Sequence, residues 1–551
     1  MDENILRHAL ANALDHDGKA NGGSVIGSVL AQNPELKKDI KSLVKQVNEI
    51  VKYVNGLSTE EQRLRLEEFG MPVKPKETEE VGLPGLVNAE DGKVVMRLAP
   101  FPSGPLHIGN ARMVLLNDMY VKRYHGKLVL VFDDTIGSVE KTILPEAYDL
   151  IKAGLDWLGV KYDEVVYKSD RLPIFYENAT HMIEKGMLYV CTCSEKKLRD
   201  NREKGIECKE RSQPVDENLE MWNKMLGGKI KKGGAVVRLR TDMQYPNPAF
   251  RDRVMLRISD REHPRVGKKY KVWPTLEFSW AVDDHLLGIT HVLRGKQLVI
   301  EDMVEEFIWD KMGWNKPMFV HYGMLKIAEG KLSKSETRKM IAQKKISGWD
   351  DPRTWTLQSL RARGIQPDAI RKFIEAMGLS EADVEIPVDI LYAENRRIVD
   401  PISNRYFAVA HPTKIVIDDM PPTKSIQAPL HPDFGDIGNR TIPLSKNIYI
   451  DKNDTKLFNK SVGMINLFTV VLKKRAKYVS AKISYDDPKI HWVSDPNVEI
   501  KLLMNDGKIL NALAEPDVSK INNGAMVQFY RMGFFKIEKS KKGIVAHFSH
   551  K

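Results

Sequence analysis

The stretch Val94-Val-Met-Arg-Leu-Ala-Pro-Phe-Pro-Ser-Gly-Pro-Leu-His-Ile-Gly-Asn110 holds residues suited to binding an anion. Residues 94–98 read as a short buried strand and residues 100–105 as a rigid turn. From His107 the apolar positions Ile108, Ala111, Val114, Leu115 and Met119 recur at helical spacing. The first-turn N–H groups of a helix lack intrahelical partners and the helix dipole favours negative charge, so a strand feeding a helix start through such a turn makes a phosphate site. His107 and Asn110 add side-chain donors there, and Gly109 lets a bound group lie against the backbone. A second candidate, Lys331-Leu-Ser-Lys-Ser335, follows the apolar strand at 318–322. It offers Lys331 and Lys334 as point charges beside the hydroxyls of Ser333 and Ser335. Taken alone, such a run is ordinary solvated surface.

The elements that must position these residues alternate between strand and helix. Leu128-Val-Leu-Val-Phe132 reads as a strand ending in Asp133-Asp-Thr135, residues 145–158 as a helix, 165–167 as a strand and 174–185 as a helix. Continuous apolar strands separated by helices predict a multidomain α/β protein with a doubly wound parallel sheet, whose ligands bind beyond the carboxyl ends of the strands. Arg97, His107 and Asp133 all fall there.

At 551 residues the chain exceeds a single core. The N-terminus lacks an apolar signal region and no apolar run approaches 18 residues, so neither secretion nor membrane insertion is indicated. A cytoplasmic monomer is expected. Lys plus Arg number 85 against 74 acids, a balance that suits a polyanion partner without requiring one. Three cysteines fit a reducing compartment. Cys191-Thr-Cys193 and Cys208 hint at zinc, but no fourth Cys or His stands near and Lys209-Glu-Arg follows, so no metal site is expected.

Residues 1–92 read as a helical appendage and linker. Asn33-Pro34 make a cap and first-turn proline, Leu36, Ile40, Leu43, Val47, Ile50 and Val54 recur at helical spacing, Ser58-Thr-Glu-Glu61 forms a capping box, and residues 74–92 are the linker. Residues 93–345 form the nucleotide fold, interrupted by a basic insertion at about 190–271. Residues 346–405 are helical, with Arg361, Arg363, Arg371, Lys372, Arg396 and Arg397 able to track an RNA backbone. From 406 to 551, short β-branched and aromatic runs predict all-β barrels.

Two stretches carry a family resemblance. Pro105-Leu-His-Ile-Gly-Asn110 resembles the His-Ile-Gly-His signature of class I aminoacyl-tRNA synthetases, and Lys331-Leu-Ser-Lys-Ser335 resembles their Lys-Met-Ser-Lys-Ser loop. Arg97-Leu-Ala-Pro-Phe-Pro-Ser-Gly104 is similar to the Arg-Phe-Ala-Pro-Ser-Pro-Thr-Gly of the glutamyl branch. Glu277-Phe-Ser-Trp-Ala-Val-Asp-Asp-His-Leu-Leu-Gly-Ile-Thr-His-Val-Leu-Arg-Gly-Lys296 resembles the glutamyl/glutaminyl branch, and residues 350–364 and 392–401 resemble its helical stem-contact region. The archaeal type also has a helical N-terminal extension and two anticodon-binding barrels.

The resemblance implies ATP-dependent ligation, with ATP as its Mg2+ complex, of L-glutamate to the 3′ end of tRNA(Glu) through a glutamyl-adenylate. It assigns His107, Gly109, Asn110, Lys331, Ser333, Lys334 and Ser335 to ATP. It assigns Arg97, Ala99, Asp133 and Arg294 to glutamate, the two arginines meeting the carboxylates and Asp133 the ammonium. Read from chemistry alone, Asp133 is equally a helix cap and Arg294 half of a buried ion pair. Three departures bear on this pocket: Leu276 where the family usually has Tyr, Phe101 where it has a small polar residue, and Ile136-Gly137 where it has Asp-Pro. The insertion would hold the tRNA acceptor end. Tyr478, Phe529, Tyr530, Arg531 and Lys473-Lys-Arg475 are candidates for splayed anticodon bases. The anticodons of tRNA(Glu) and tRNA(Gln) differ at the third base only, which leaves the charging of tRNA(Gln) with glutamate open. The rival readings are a glutaminyl enzyme and an inactive tRNA-binding paralogue.

Overall fold

A computed structural model describes residues 2–15, 18–69, 83–137, 142–327 and 333–551. Lys331 and linker residues 74–82 lie outside the described residues. The chain divides into two compact units, residues 1–82 and 83–551.

The first unit is helical: α1 (Glu3–Asp15), α2 (Gly22–Gln32), α3 (Ile40–Val54) and α4 (Thr59–Glu68). Ala9, Ala13, Val25, Val29, Val47 and Val54 are its fully buried centre. The buried Gln62 amide donates to the carbonyls of Gly18 (2.9 Å) and Val54 (2.8 Å), tying a loop to a helix end. The capping box at Ser58 and Glu61 is present, the Glu61 carboxylate accepting from Ser58 N at 2.7 Å. The apolar stripe predicted to start at Leu36 is shorter than read. Residues Pro34–Asp39 wind as a 3₁₀ turn, Asp39 caps α3 by accepting from Ser42 N, and Leu36 and Ile40 are 40% and 48% exposed.

The second unit opens with residues 83–92, read from sequence as linker but packed on the catalytic fold. Tyr124 OH accepts from Leu86 N (2.9 Å), Tyr120 OH donates to Pro84 O (2.9 Å), and His291 Nε2 lies 3.0 Å from Val87 O. Then follow β1 (Val95–Leu98), α5 (Ile108–Arg123), β2 (Lys127–Phe132), α6 (Ala147–Trp157), β3 (Glu164–Tyr167) and α7 (Leu172–Glu184). Strands β1, β2 and β3 are parallel in the order β1-β2-β3. After an insertion, α10 (Leu276–Leu286) leads to β8 (His291–Gly295), α11 (Val299–Met312) and β9 (Met318–Tyr322), a second parallel pair. Thr290 joins the two sets, donating its N–H to Val95 O and accepting from Val95 N, both at 2.9 Å. The central strands are buried on both faces, which is why they read as unbroken apolar runs. The sheet reverses direction of growth between β1 and β8, so the crevice at that switch point is the expected ligand site.

The insertion is a four-stranded antiparallel sheet, β4 (Leu188–Cys191), β5 (Val236–Leu239), β6 (Val254–Ile258) and β7 (Val272–Pro274), flanked by α8 (Glu195–Lys204) and α9 (Val215–Leu226). It therefore begins at Leu188 and ends at Pro274, a little wider than predicted. Beyond β9 come β10 (Leu325–Ile327), α12 (Lys334–Ala342), α13 (Leu357–Ala362), α14 (Pro367–Met377), β11 (Val384–Ile386) and α15 (Val388–Val399). Their apolar residues Leu357, Leu360, Ile370, Phe373, Ile374 and Leu391 belong to the same core as the parallel sheet. Two arginines expected to face RNA are structural instead. Arg371 donates to Asp118 Oδ2 (2.7 Å), and buried Arg363 donates to Tyr392 OH (2.6 Å) and Ser549 O (2.9 Å).

Residues 404–550 form a two-stranded sheet, Ser425–Pro429 with Asn439–Pro443, and two seven-stranded ones. One comprises Asn404–Tyr406, Met526–Phe529, Gly533–Ser540, Gly543–His550, Val498–Leu503, Ile509–Ala514 and Ala408–Ala410 in spatial order; the other lies between Pro412 and Ser494. In each, the two edge strands are consecutive in the chain, so the sheet curls on itself into a barrel. Of the predicted base-stacking residues, Phe529 is fully buried and Tyr530 packs on Phe407 at 4.9 Å. Arg531 holds Asp454 through two hydrogen bonds of 2.7 and 2.8 Å, Tyr478 meets Phe468 edge-on, and Arg475 pairs with Asp418. Lys473 and Lys474 are exposed. Tyr485, passed over in the sequence, is 91% exposed. No helix among the described residues is long and apolar enough to cross a membrane.

Candidate active site

His107 caps α5. Its Nδ1 accepts from Asn110 N (3.3 Å) while Asn110 Oδ1 accepts from His107 N (3.2 Å), a reciprocal box that fixes both side chains at the helix start. The entry is held from below, since Ile108 N donates to Trp355 O and Leu357 N to Leu106 O. Gly104 has φ +150, and a Cβ there would meet the Trp349 ring at 2.9 Å, so only glycine turns the chain here. Lys334 opens α12, whose cap is Ser333, the hydroxyl accepting from Glu336 N. His107, Ser333, Lys334, Thr337, Trp349, Trp355 and Thr356 line one small cavity. Two motifs far apart in sequence thus share a wall. Ser335 instead lines a cleft with Glu336 and Lys339, which Ser333 also borders. Burial and then the Lys334 cation push the His107 imidazole down to about 3, so the ring is neutral. With Nδ1 accepting, Nε2 carries the proton and can donate to a bound oxygen.

A buried charged cluster gathers on β1, β8, α10 and α11. Arg97 pairs with both oxygens of Asp284, one at 2.7 Å. Burial works against its charge, but the carboxylates of Asp284, Glu305 and Asp133 outweigh it and hold the guanidinium above its ordinary pKa. Arg294 pairs with Asp302 and, at 2.9 Å, with Glu305. Asp133 lies 3.2 Å from the ammonium of Lys168, which donates to Ser279 Oγ at 2.7 Å. The structure therefore brings Arg97, Asp133 and Arg294 together, and shows each already engaged. Lys168, Trp280, Asp284, Asp302 and Glu305 were not singled out from sequence. Lys168 directly follows β3, a strand carboxyl end of the kind that supplies sites in this fold, and that was the available signal.

The departures have structural counterparts. A Cβ on Gly137 would approach Pro274 O to 2.3 Å, so the loop after β2 touches the insertion sheet in a way that Pro or any larger residue would not permit. Asp134 is an orienting group, accepting from Ser169 N, Ser169 Oγ and Tyr148 OH within 2.9 Å. Phe101 and Leu276 are both half-buried.

The structure bears on the expectation of no metal site. Cys191, Cys193, Cys208 and Glu210 place ligand atoms all within 4.8 Å of one another. The 3₁₀ turn Lys209–Ser212 folds Glu210 back, and Thr192 Oγ1 donates to Glu210 Oε1 at 2.6 Å, leaving Oε2 near Cys193. Only Cys and His had been considered as the fourth ligand, yet a carboxylate serves equally. Cys191 and Cys208 sulfurs are 3.6 Å apart, close to the ~3.8 Å edge of a tetrahedron with metal–sulfur bonds of about 2.3 Å. The hydrogen bond from Cys191, then Tyr189 and Arg238, hold Cys208 down against burial. The hydrogen bond to Cys208, then burial, push Cys191 up, and burial pushes Cys193 up, so without an ion one thiolate is shared among three sulfurs. The donor set fits a zinc-class ion.

The profile of the family described as tRNA synthetases class I (E and Q), catalytic domain, matches residues 93–400. The chain belongs to this family. Two profiles described as the anti-codon binding domain of the same class I (E and Q) synthetases match residues 403–486 and 489–538. A class I synthetase catalytic domain is thus followed by anticodon-binding domains. The first of those two segments straddles both barrels, because strands at 404–410 complete the sheet built from 498–550. Along the whole chain the protein is 42% identical over 562 residues to a glutamate–tRNA ligase of Methanocaldococcus jannaschii, covering all of both chains. It is 43% identical over 571 residues to one of Pyrococcus furiosus, covering 99% of each.

Proposed function

We propose that the chain ligates L-glutamate to the 3′ end of tRNA(Glu), with ATP supplied as its Mg2+ complex. The observation that carries this reading is the shared cavity of His107 and Lys334, with the buried cations Arg97 and Arg294 on the strands either side of the switch point. In the first step a glutamate carboxylate oxygen attacks the α-phosphorus, the bond to the β-phosphate oxygen breaks and pyrophosphate leaves. His107 Nε2–H at the start of α5 donates to a phosphate oxygen, while Lys334 offsets charge on the departing pyrophosphate, a role the sequence motif extends to Lys331. A terminal ribose hydroxyl of tRNA then attacks the carbonyl carbon and AMP leaves. Asp133 receives the substrate ammonium, held in place by Lys168.

Support for glutamate comes from the two full-length ligases of the same name and from the Arg97 motif. The test is ATP–pyrophosphate exchange with tRNA present, glutamate against glutamine. Glutamate-dependent exchange is expected; exchange with glutamine alone would overturn the reading. The anticodons of tRNA(Glu) and tRNA(Gln) differ at the third base only, so charging of tRNA(Gln) with glutamate is part of the proposal.

A further inference from the structure

The cations of the amino-acid pocket are engaged before any substrate arrives. Arg97 holds Asp284, Lys168 lies against Asp133, and Arg294 holds Asp302 and Glu305. Trp280 gathers them, the Arg97, Lys168 and Arg294 groups lying 4.8, 5.2 and 5.0 Å from its ring. Arg171 with Asp283 adds one more pair at 2.7 Å. Four cations thus face five acids, Asp133, Asp283, Asp284, Asp302 and Glu305. Glutamate carries two carboxylates and one ammonium, so it brings a further net negative charge into a cluster already one acid in excess. Buried charges without partners are strongly disfavoured. Such a pocket accepts glutamate only if an internal acid gives up both its cation and its charge.

Glu305 is the acid placed to do so. It is fully buried, one of its oxygens has no hydrogen-bond partner, and Arg294 holds the other. Asp133 and Asp283 also each have one oxygen without a hydrogen-bond partner, and burial raises the Asp283 carboxyl, but they face Lys168 and Arg171 rather than an arginine assigned to a carboxylate. Asp302 keeps a second partner, His321 Nε2 at 2.6 Å, and Asp284 is gripped by Arg97 through both oxygens. The charged groups around Glu305 are Arg294 of β8, Arg97 of β1 and Asp284 of α10, with Asp302 of its own helix sharing Arg294 and meeting His321 of β9. Burial raises the Glu305 carboxyl to about 7, Arg294 pulling it down and Asp284 pushing it up.

We propose that Glu305 is a specificity-determining positioning residue: it occupies the face of Arg294 that the substrate side-chain carboxylate takes, and it yields that face by accepting a proton. The inference rests on the glutamate reading above. A glutamate side chain exchanges one carboxylate for another on Arg294, and Glu305, turned off that face, remains buried as the neutral acid. A glutamine side chain offers only an amide oxygen, too weak an acceptor to displace an ionised carboxylate from a guanidinium. Glu305 therefore weakens glutamate binding and rejects glutamine more strongly. Binding takes up a proton wherever free Glu305 is ionised, so the glutamate KM rises with pH above about 7, towards tenfold per unit.

The experiment measures tRNA-dependent ATP–pyrophosphate exchange for both amino acids from about pH 6.5 to 8.5, in the wild type and in Glu305→Gln. That variant keeps the shape and one acceptor for Arg294 but carries no titrating group. The wild-type glutamate KM should climb with pH. In the variant it should be lower and flat, and the glutamate-to-glutamine ratio of kcat/KM should fall about tenfold or more. A variant with the wild-type ratio and slope would overturn the proposal. Should the variant not fold, calorimetric titration of glutamate into the wild type with tRNA present, in two buffers of different ionisation heat near pH 8, still decides. Uptake of about one proton supports the exchange and none refutes it. If the wild type shows no glutamate-dependent exchange, the glutamate reading falls and this inference with it; if the wild type uses glutamate and only slope, ratio or proton count disagree, this inference alone falls.

Discussion

Two cations of the site separate cleanly in what their removal should do. Lys334 stands on the first turn of a helix none of whose residues is buried. Lys334→Ala should leave stability within about 0.5 kcal/mol while abolishing pyrophosphate exchange. Wild-type exchange in the variant would remove Lys334 from the ATP site. Arg97 is 6% exposed and neutralises Asp284. Arg97→Ala should lower unfolding free energy by about 3–5 kcal/mol, because it strands a buried carboxylate, and should damage glutamate use far more than ATP binding. Denaturant titration and separate KM values for ATP and glutamate check both parts. Arg97, His107 and Asp133 could be placed beyond strand ends or at a helix start from the strand and helix pattern, whereas Arg294 and Lys334 were picked out by the family resemblance. Their partners were not legible: Asp284 lies 187 residues from Arg97, and although Glu305 is only 11 residues from Arg294, on the next helix, nothing local states that each guanidinium is already paired. The same blindness turned Arg363 and Arg371 into supposed RNA contacts.

Elements set up by local periodicity were readable to within a few residues, as at β2, α7 and the β-strands after residue 406. Periodicity alone misplaced the start of α3, because Asn33-Pro34 and Asp39 both look like helix starts and only the burial of Leu43 and Val47, against the exposure of Leu36 and Ile40, tells them apart. At the start of α5, Asn110→Ala should remove one arm of the capping box, lowering stability by about 1 kcal/mol and loosening His107, so turnover falls more than ATP binding. Turnover unchanged by the substitution would show that the box does not position the imidazole. In the insertion, the turn bearing Glu210 makes a four-ligand cluster that sequence spacing did not reveal. Metal analysis of the purified protein should give about one zinc per chain, with Glu210→Ala weakening retention against a chelator. Zinc-free protein with unchanged folding of the insertion would leave the cluster as hydrogen-bonded thiols.

Across the whole molecule, the parallel sheet, the helices behind it and the site form one core, while the two barrels keep cores of their own. That division matches a protein that performs chemistry at one end and reads RNA at the other. The barrel architecture was legible from strand spacing, but its RNA-facing side chains were not, because in a curled sheet the strand pattern shows alternation without saying which face meets a partner. Phe529 packs in the core of its own barrel, and Tyr485 stands exposed between strands, where alternation has nothing to say. The central claim is that these parts together attach glutamate to tRNA. The most direct measurement is the charging of purified tRNA(Glu) and tRNA(Gln) transcripts, and of an unrelated transcript, with labelled glutamate and ATP. The account predicts ATP-dependent attachment to tRNA(Glu), attachment to tRNA(Gln) above the unrelated background, and loss of both in Lys334→Ala. Absence of glutamate on tRNA(Glu), with label appearing only when glutamine is supplied, would contradict it.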